Sequence, residues 1–174
     1  TSCDMILIDA PGSDTFLSRL AHSKADTLIT PLNDSFVDFD LLGDVNPQTL
    51  KVLSPSFYSE MVWNCRKVKA QQTRQQIDWI VMRNRMSPLE ARNKQKVGEA
   101  LDNLSKRIGF RLAPGLSERV IYRELFPAGL TLLDLTEKGS NFAFTMSHVA
   151  ARQELRELVG MLRLPELADN EITI

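Results

Sequence analysis

The chain has 174 residues, 43% of them hydrophobic and 25% charged, with a formal net charge of −1, the composition of an ordinary soluble globular domain. A chain of this length buries roughly two-thirds of its unfolded surface, so its core needs no disulfide or metal staple. Two distant cysteines, Cys3 and Cys65, and two histidines, His22 and His148, exclude a disulfide framework and a metal-ligand cluster and fit a reducing compartment. No run of about 18 or more apolar residues and no signal sequence is present, so the expected location is cytoplasmic, with no membrane-spanning segment.

Thr1-Ser2-Cys3 leads at once into Asp4-Met5-Ile6-Leu7-Ile8-Asp9, whose apolar residues 5–8 read as a buried parallel strand, as if the chain begins in mid-fold. Ala10-Pro11-Gly12-Ser13 stops that strand, with Ser13 or Asp14 able to cap a helix burying Leu17, Leu20 and Ala21. A second strand over 27–30 ends at Pro31 and opens into an acidic, aromatic loop through Asp40. Ser54-Pro55 starts a helix carrying Tyr58, Met61, Val62, Cys65 and Val68 at helical spacing. Residues 77–82 form a third strand. The helix after it turns Val97, Leu101, Leu104 and Ile108 toward the core. Phe110-Arg111-Leu112 is a fourth strand ended by Pro114-Gly115, a last helix runs over 146–162, and 165–174 is a polar tail.

Strands alternating with helices, without repeats, predict an α/β fold: an open, mostly parallel sheet covered by helices on both faces. Ligands of such sheets bind beyond the C-terminal strand ends, where Asp9, Asn33-Asp34 and Asn84 fall. Asp9 is placed either to hold Mg²⁺, directly or through water, or to form a turn before Pro11-Gly12. Asn84 can pair with a base edge such as adenine's, or brace a loop. Asp34, Asp38 and Asp40 can position water or metal, or form a solvated, capping set. Arg83 to Arg123 holds ten Lys/Arg against four Asp/Glu, whereas Asp26 to Val62 holds six acidic residues against Lys51 alone. That basic segment is either a phosphate-binding surface or a solvated helix face. Arg119 and Arg123 share a face if they lie on one helix, and serve DNA, a partner, or Glu118 and Glu124.

Ile8-Asp9-Ala10-Pro11-Gly12-Ser13-Asp14 resembles the switch II region of the ParA/MinD group of deviant-Walker P-loop ATPases. Longer strings are similar to the MipZ-type, division-plane positioning members of that group: Ser18 to His22, Pro31 to Asp40, Glu90 to Asn93, and Pro114 to Pro127. The resemblance spans residues 4 to about 163 and implies a P-loop NTPase-like domain over 1–163 followed by a tail at 164–174. It implies ATP or ADP with Mg²⁺ at Asp9, nucleotide-binding roles for Asp9, Pro11, Gly12, Asn84, Pro114 and Gly115, and DNA contacts from Arg92, Lys94, Arg119 and Arg123. It also implies an ATP-dependent homodimer on non-specific DNA that blocks FtsZ polymerisation, ParB as recruiter of the monomer, and localisation to nucleoid and cell pole. The sequence contains no Gly-rich loop with Gly-Lys-Ser/Thr, so the chain as given is expected not to hydrolyse ATP efficiently. Absence of the strand that carries this loop is expected to leave an unpaired sheet edge. The alternative from a different class is a nucleotide-free interaction module binding FtsZ or DNA.

Overall fold

Strand β4 (Asp78–Asn84) runs between β1 (Thr27–Asn33) and β5 (Arg111–Ala113), parallel to both, in a computed structural model that describes residues 3–33, 35–46, 48–49, 51–87, 91–136 and 145–164. Its alternating side chains feed two cores, which is why this stretch reads as continuously apolar. Trp79 and Val81 join the larger cluster, with Val62 of α3 (Phe57–Thr73) and Val97, Leu101 and Leu104 of α4 (Ala91–Leu104). Ile80 and Met82 pack on the opposite face with Ala113, Leu158 and Leu162, bringing in the last helix. The architecture is the expected mixed α/β type, a parallel sheet flanked by helices.

Around this strand the chain adds helix α1 (Phe16–Lys24), the one-turn α2 (Phe36–Phe39) and an antiparallel hairpin of β2 (Gly43–Val45) and β3 (Val52–Pro55). A π-helical turn over 105–109 closes α4, and the short α5 (Ile121–Leu125), 3-10 turns at Phe126–Ala128 and Asp134–Thr136, and α6 (Met146–Met161) complete the described elements. Thr15 and Ser56 cap α1 and α3 by accepting from Ser18 N and Ser59 N, both at 3.1 Å.

Several expectations are corrected. Residues 5–8 form no strand and are exposed, Leu7 at 89%. Apolar character marks a segment fit for burial, but a strand also needs a ladder, and the described sheet ends at β1 without pairing this segment. Strand β1 continues through Pro31 to Asn33 because an imide that cannot donate is tolerated where the N–H side faces no partner. Ser54-Pro55 closes β3, and the α3 cap lies one turn position later, at Ser56. Helix α1 turns Ser18 and His22 inward and leaves Leu17 and Leu20 exposed.

The reason for that rotation is a directed hydrogen-bond chain. Trp79 Nε1 donates to Thr30 Oγ1 (3.0 Å), Thr30 meets Tyr58 OH (2.8 Å), Tyr58 meets His22 Nε2 (3.3 Å), and His22 Nδ1 lies 2.7 Å from Ser18 O. A carbonyl only accepts, so Nδ1 carries the proton in the neutral ring, Nε2 accepts from Tyr58, and Thr30 donates to Tyr58. One polarity satisfies every group and ties α1, β1, α3 and β4 together. Nearby, the buried Lys69 ammonium donates to Ala25 O (2.6 Å) and Asp26 Oδ1 (2.5 Å), pinning the α1–β1 junction to α3. Thr30→Val keeps the shape but strands the Trp79 N–H and breaks the relay to Tyr58, so stability falls by about 1–3 kcal/mol in urea unfolding. A loss under about 0.5 kcal/mol would show that the chain carries no such weight.

Candidate functional site

Beyond the C-terminal end of β4 the backbone continues to pair. Leu116 N donates to Arg83 O (2.9 Å), Met86 N to Leu116 O (3.0 Å) and Glu118 N to Met86 O (3.1 Å). Gly115 makes this approach possible: a β-carbon there would stand 2.7 Å from Met86 Sδ and 2.8 Å from Arg83 O. Arg85 takes a left-handed conformation (φ 52°), which for a non-glycine residue marks a backbone held by its surroundings.

These two segments and α5 wall an open cavity of about 700 Å³ lined by Asn84, Arg85, Leu116, Ser117, Glu118, Arg119, Tyr122 and Arg123. Its position, outside the carboxyl ends of parallel strands, is where open α/β sheets bind ligands. The register sets Asn33 beside Asn84 at this end. The Tyr122 hydroxyl and Arg119 Nε are buried without a hydrogen-bond partner among the described residues.

Helix α6 is fastened to the cavity wall by Glu154. Its carboxylate accepts from Ser117 N (3.1 Å), Ser117 Oγ (2.8 Å) and Arg119 Nη2 (2.6 Å), while Arg119 Nη1 donates to Ser147 Oγ (3.1 Å). Burial works to raise the Glu154 pKa, but the Arg119 and Ser117 donors outweigh it and hold the carboxyl below its ordinary value. Burial raises the Tyr122 phenol, and neighbouring Glu154 adds to the effect. At the opposite end of the sheet Arg111 holds both carboxylate oxygens of Asp78 and donates to Met161 O (2.7 Å). That guanidinium lowers the Asp78 pKa.

Of the residues singled out in the sequence, Asn84, Arg119 and Arg123 are brought together on the cavity, and Gly115, outside its lining, permits the close approach of the segments that wall it. Pro114 is exposed beside it. Asp9, Pro11 and Gly12 lie in the exposed segment ahead of α1 and are absent from the cavity lining. Arg119 precedes α5 instead of sharing a helical face with Arg123; Arg119 pairs with Glu154 and Arg123 with Glu118. Arg92 and Lys94 fall on α4, but their side chains lie outside the described residues, as does Asp34. Asp38 accepts from Asn33 N (2.9 Å), a bracing role. Sequence reasoning did not single out Arg85, Ser117, Tyr122 or Glu154; Glu154 is 35 residues or more from the groups it joins, beyond any local spacing signal.

The residue in this arrangement that could hold the base end of a nucleotide is Asn84, whose amide lies at a strand end beside a loop that only glycine permits. Among the described residues no group of three or more His, Cys, Asp or Glu is placed to hold a metal, and no helix is long and apolar enough to cross a membrane. A family model described as ATPase MipZ matches residues 1–166. Comparison with curated proteins gives no match.

Because Glu154 and Asp78 are both lowered in the folded chain, the unfolded chain takes up protons first as pH falls. Their contribution is complete above the ordinary carboxylate range of about 4 to 4.5 and is lost as pH drops through the folded values. The double variant Asp78→Asn, Glu154→Gln lowers the urea midpoint near neutral pH and flattens its decline toward about pH 3. An unchanged acid limb would assign the acid sensitivity to other carboxylates.

Proposed function

We propose that this chain, which belongs to the MipZ family of division-related ATPases, places the bacterial division site by exchanging between a monomer and a nucleotide-bound homodimer. In this reading the dimer binds DNA non-specifically and restrains FtsZ polymerisation, ParB recruits the monomer, and the protein works in the cytoplasm at nucleoid and cell pole. Residues 1–163 act as one ATPase domain with 164–174 as a tail.

The observation that carries the reading is the cavity past β4, where Asn84 sits with three arginines. Asn84 is the group that would hold the adenine edge, Pro114 and Gly115 border it, and Asp9 is the carboxylate that would hold Mg²⁺ with Pro11 and Gly12 beside it. Bound nucleotide supplies the differential binding free energy that favours one assembly state over the other. The chain's own contributions are to orient the base through a rigid strand end and to present Arg123, Arg92 and Lys94 to DNA phosphates, while Arg119, paired with Glu154, holds α6. The exposed position of Asp9, away from the cavity lining, favours a second reading, a nucleotide-free module that binds DNA or FtsZ directly.

The test uses the chain extended at its start by a phosphate-loop segment, with Mg-ATP binding followed by calorimetry and assembly by sedimentation. Asn84→Ala weakens ATP about ten-fold, the loss of a buried base contact, and Asp9→Ala suppresses the ATP-dependent dimer. Dimers of normal stability and nucleotide dependence in Asp9→Ala would sink its assignment. Salt-sensitive DNA binding indifferent to ATP would shift the function to the second reading.

A further inference from the structure

The two carboxylates that pair with the cavity's arginines are not equivalent. Glu154 and Arg119 have side chains 20% and 18% exposed, and Glu154 also accepts from both Ser117 donors, so that pair belongs to the docking of α6. Glu118 is 41% exposed, and a single oxygen, Oε1, receives Arg85 Nη2 (3.1 Å) from the end of β4 and Arg123 Nη2 from α5. Arg85 and Arg123 are themselves 60% and 70% exposed. The backbone of Glu118 is held by its N–H donating to Met86 O, and Arg85 is held in a left-handed conformation, so the geometry is set by the main chain.

We propose that Glu118 is an internal stand-in for a nucleic-acid phosphate, one carboxylate that occupies two surface arginines and sets how strongly this rim binds DNA. The inference rests on the reading of this rim as a DNA-binding surface, and it adds Arg85 and Glu118 to the residues assigned there. Three physical points carry it. Exposed ion pairs are weak and screened, so a phosphate can take both arginines without a large structural cost. Arginine forks match phosphate oxygens better than they match one shared carboxylate oxygen. A fixed negative charge between two cations also lowers the field that draws a polyanion to the rim.

The consequence is that removing the carboxylate charge strengthens DNA binding. Glu118→Gln keeps the side-chain shape and the backbone bond to Met86 O while removing the negative charge that engages Arg85 and Arg123. The measurement is fluorescence anisotropy of a labelled duplex of arbitrary sequence with the same extended chain saturated with Mg-ATP, the state to which the DNA reading assigns binding, across a salt series. Glu118→Gln binds roughly three-fold to ten-fold more tightly at low salt, the range set by relieving two exposed pairs. Its plot of log affinity against log salt steepens by about 1 to 2, one increment for each arginine newly on phosphate. Adding Arg123→Gln to Glu118→Gln removes roughly half of that increment, which ties the gain to this rim and not to a general change in net charge. Wild-type binding that is salt-sensitive but unchanged in Glu118→Gln would overturn the role of Glu118 and leave the DNA reading standing. No salt-sensitive binding by either protein would remove the DNA reading and this inference together.

Discussion

Everything in this molecule depends on β4 being paired along both edges and covered on both faces. A strand in that position cannot slip by one residue without moving Trp79 and Val81 out of one core and Ile80 and Met82 out of the other. Register therefore fixes where the strand ends, and the strand's end fixes Asn84 and Arg85. From there the backbone pairing of 83–86 with 116–118 sets the cavity walls, and the close approach at Gly115 leaves no room for a larger residue.

Polar groups specify the arrangement that the apolar core makes stable. The chain from Trp79 through Thr30, Tyr58 and His22 to the Ser18 carbonyl is fully satisfied in one proton arrangement, so it discriminates against neighbouring packings. On the other face Arg111, bound to Asp78 and Met161 O, and Glu154, bound to Ser117 and Arg119, hold α6 against the sheet at its two ends. The site is thus braced by charged groups on one side and by a neutral network on the other.

What could be read from the sequence was what local pattern encodes. The apolar run at 77–82 and the helical spacing of Val97, Leu101 and Leu104 correspond to the core that forms, and the alternation of strands and helices to the parallel sheet. The inward face of α1 could not be read that way, because His22 is drawn inside by a hydroxyl 36 residues away. Residues 5–8 show the converse: apolarity without a ladder does not make a strand. The same limit applies to the site. Asn84 was visible as a polar residue at the end of a buried strand, whereas Tyr122, Arg85 and Glu154 acquire meaning only through contacts between distant segments.

As proposed, the cavity beyond β4 receives the base of a nucleotide, independently of how the phosphates are held. Titrating adenosine into the isotopically labelled chain and following backbone and side-chain amide resonances by NMR tests this directly, since millimolar binding is still visible as a saturable shift. The Asn84 side-chain amide and the backbone amides of Gly115 and Leu116 are expected to move together along one binding curve. Saturable shifts confined to other parts of the sheet, with these three unmoved, would contradict it.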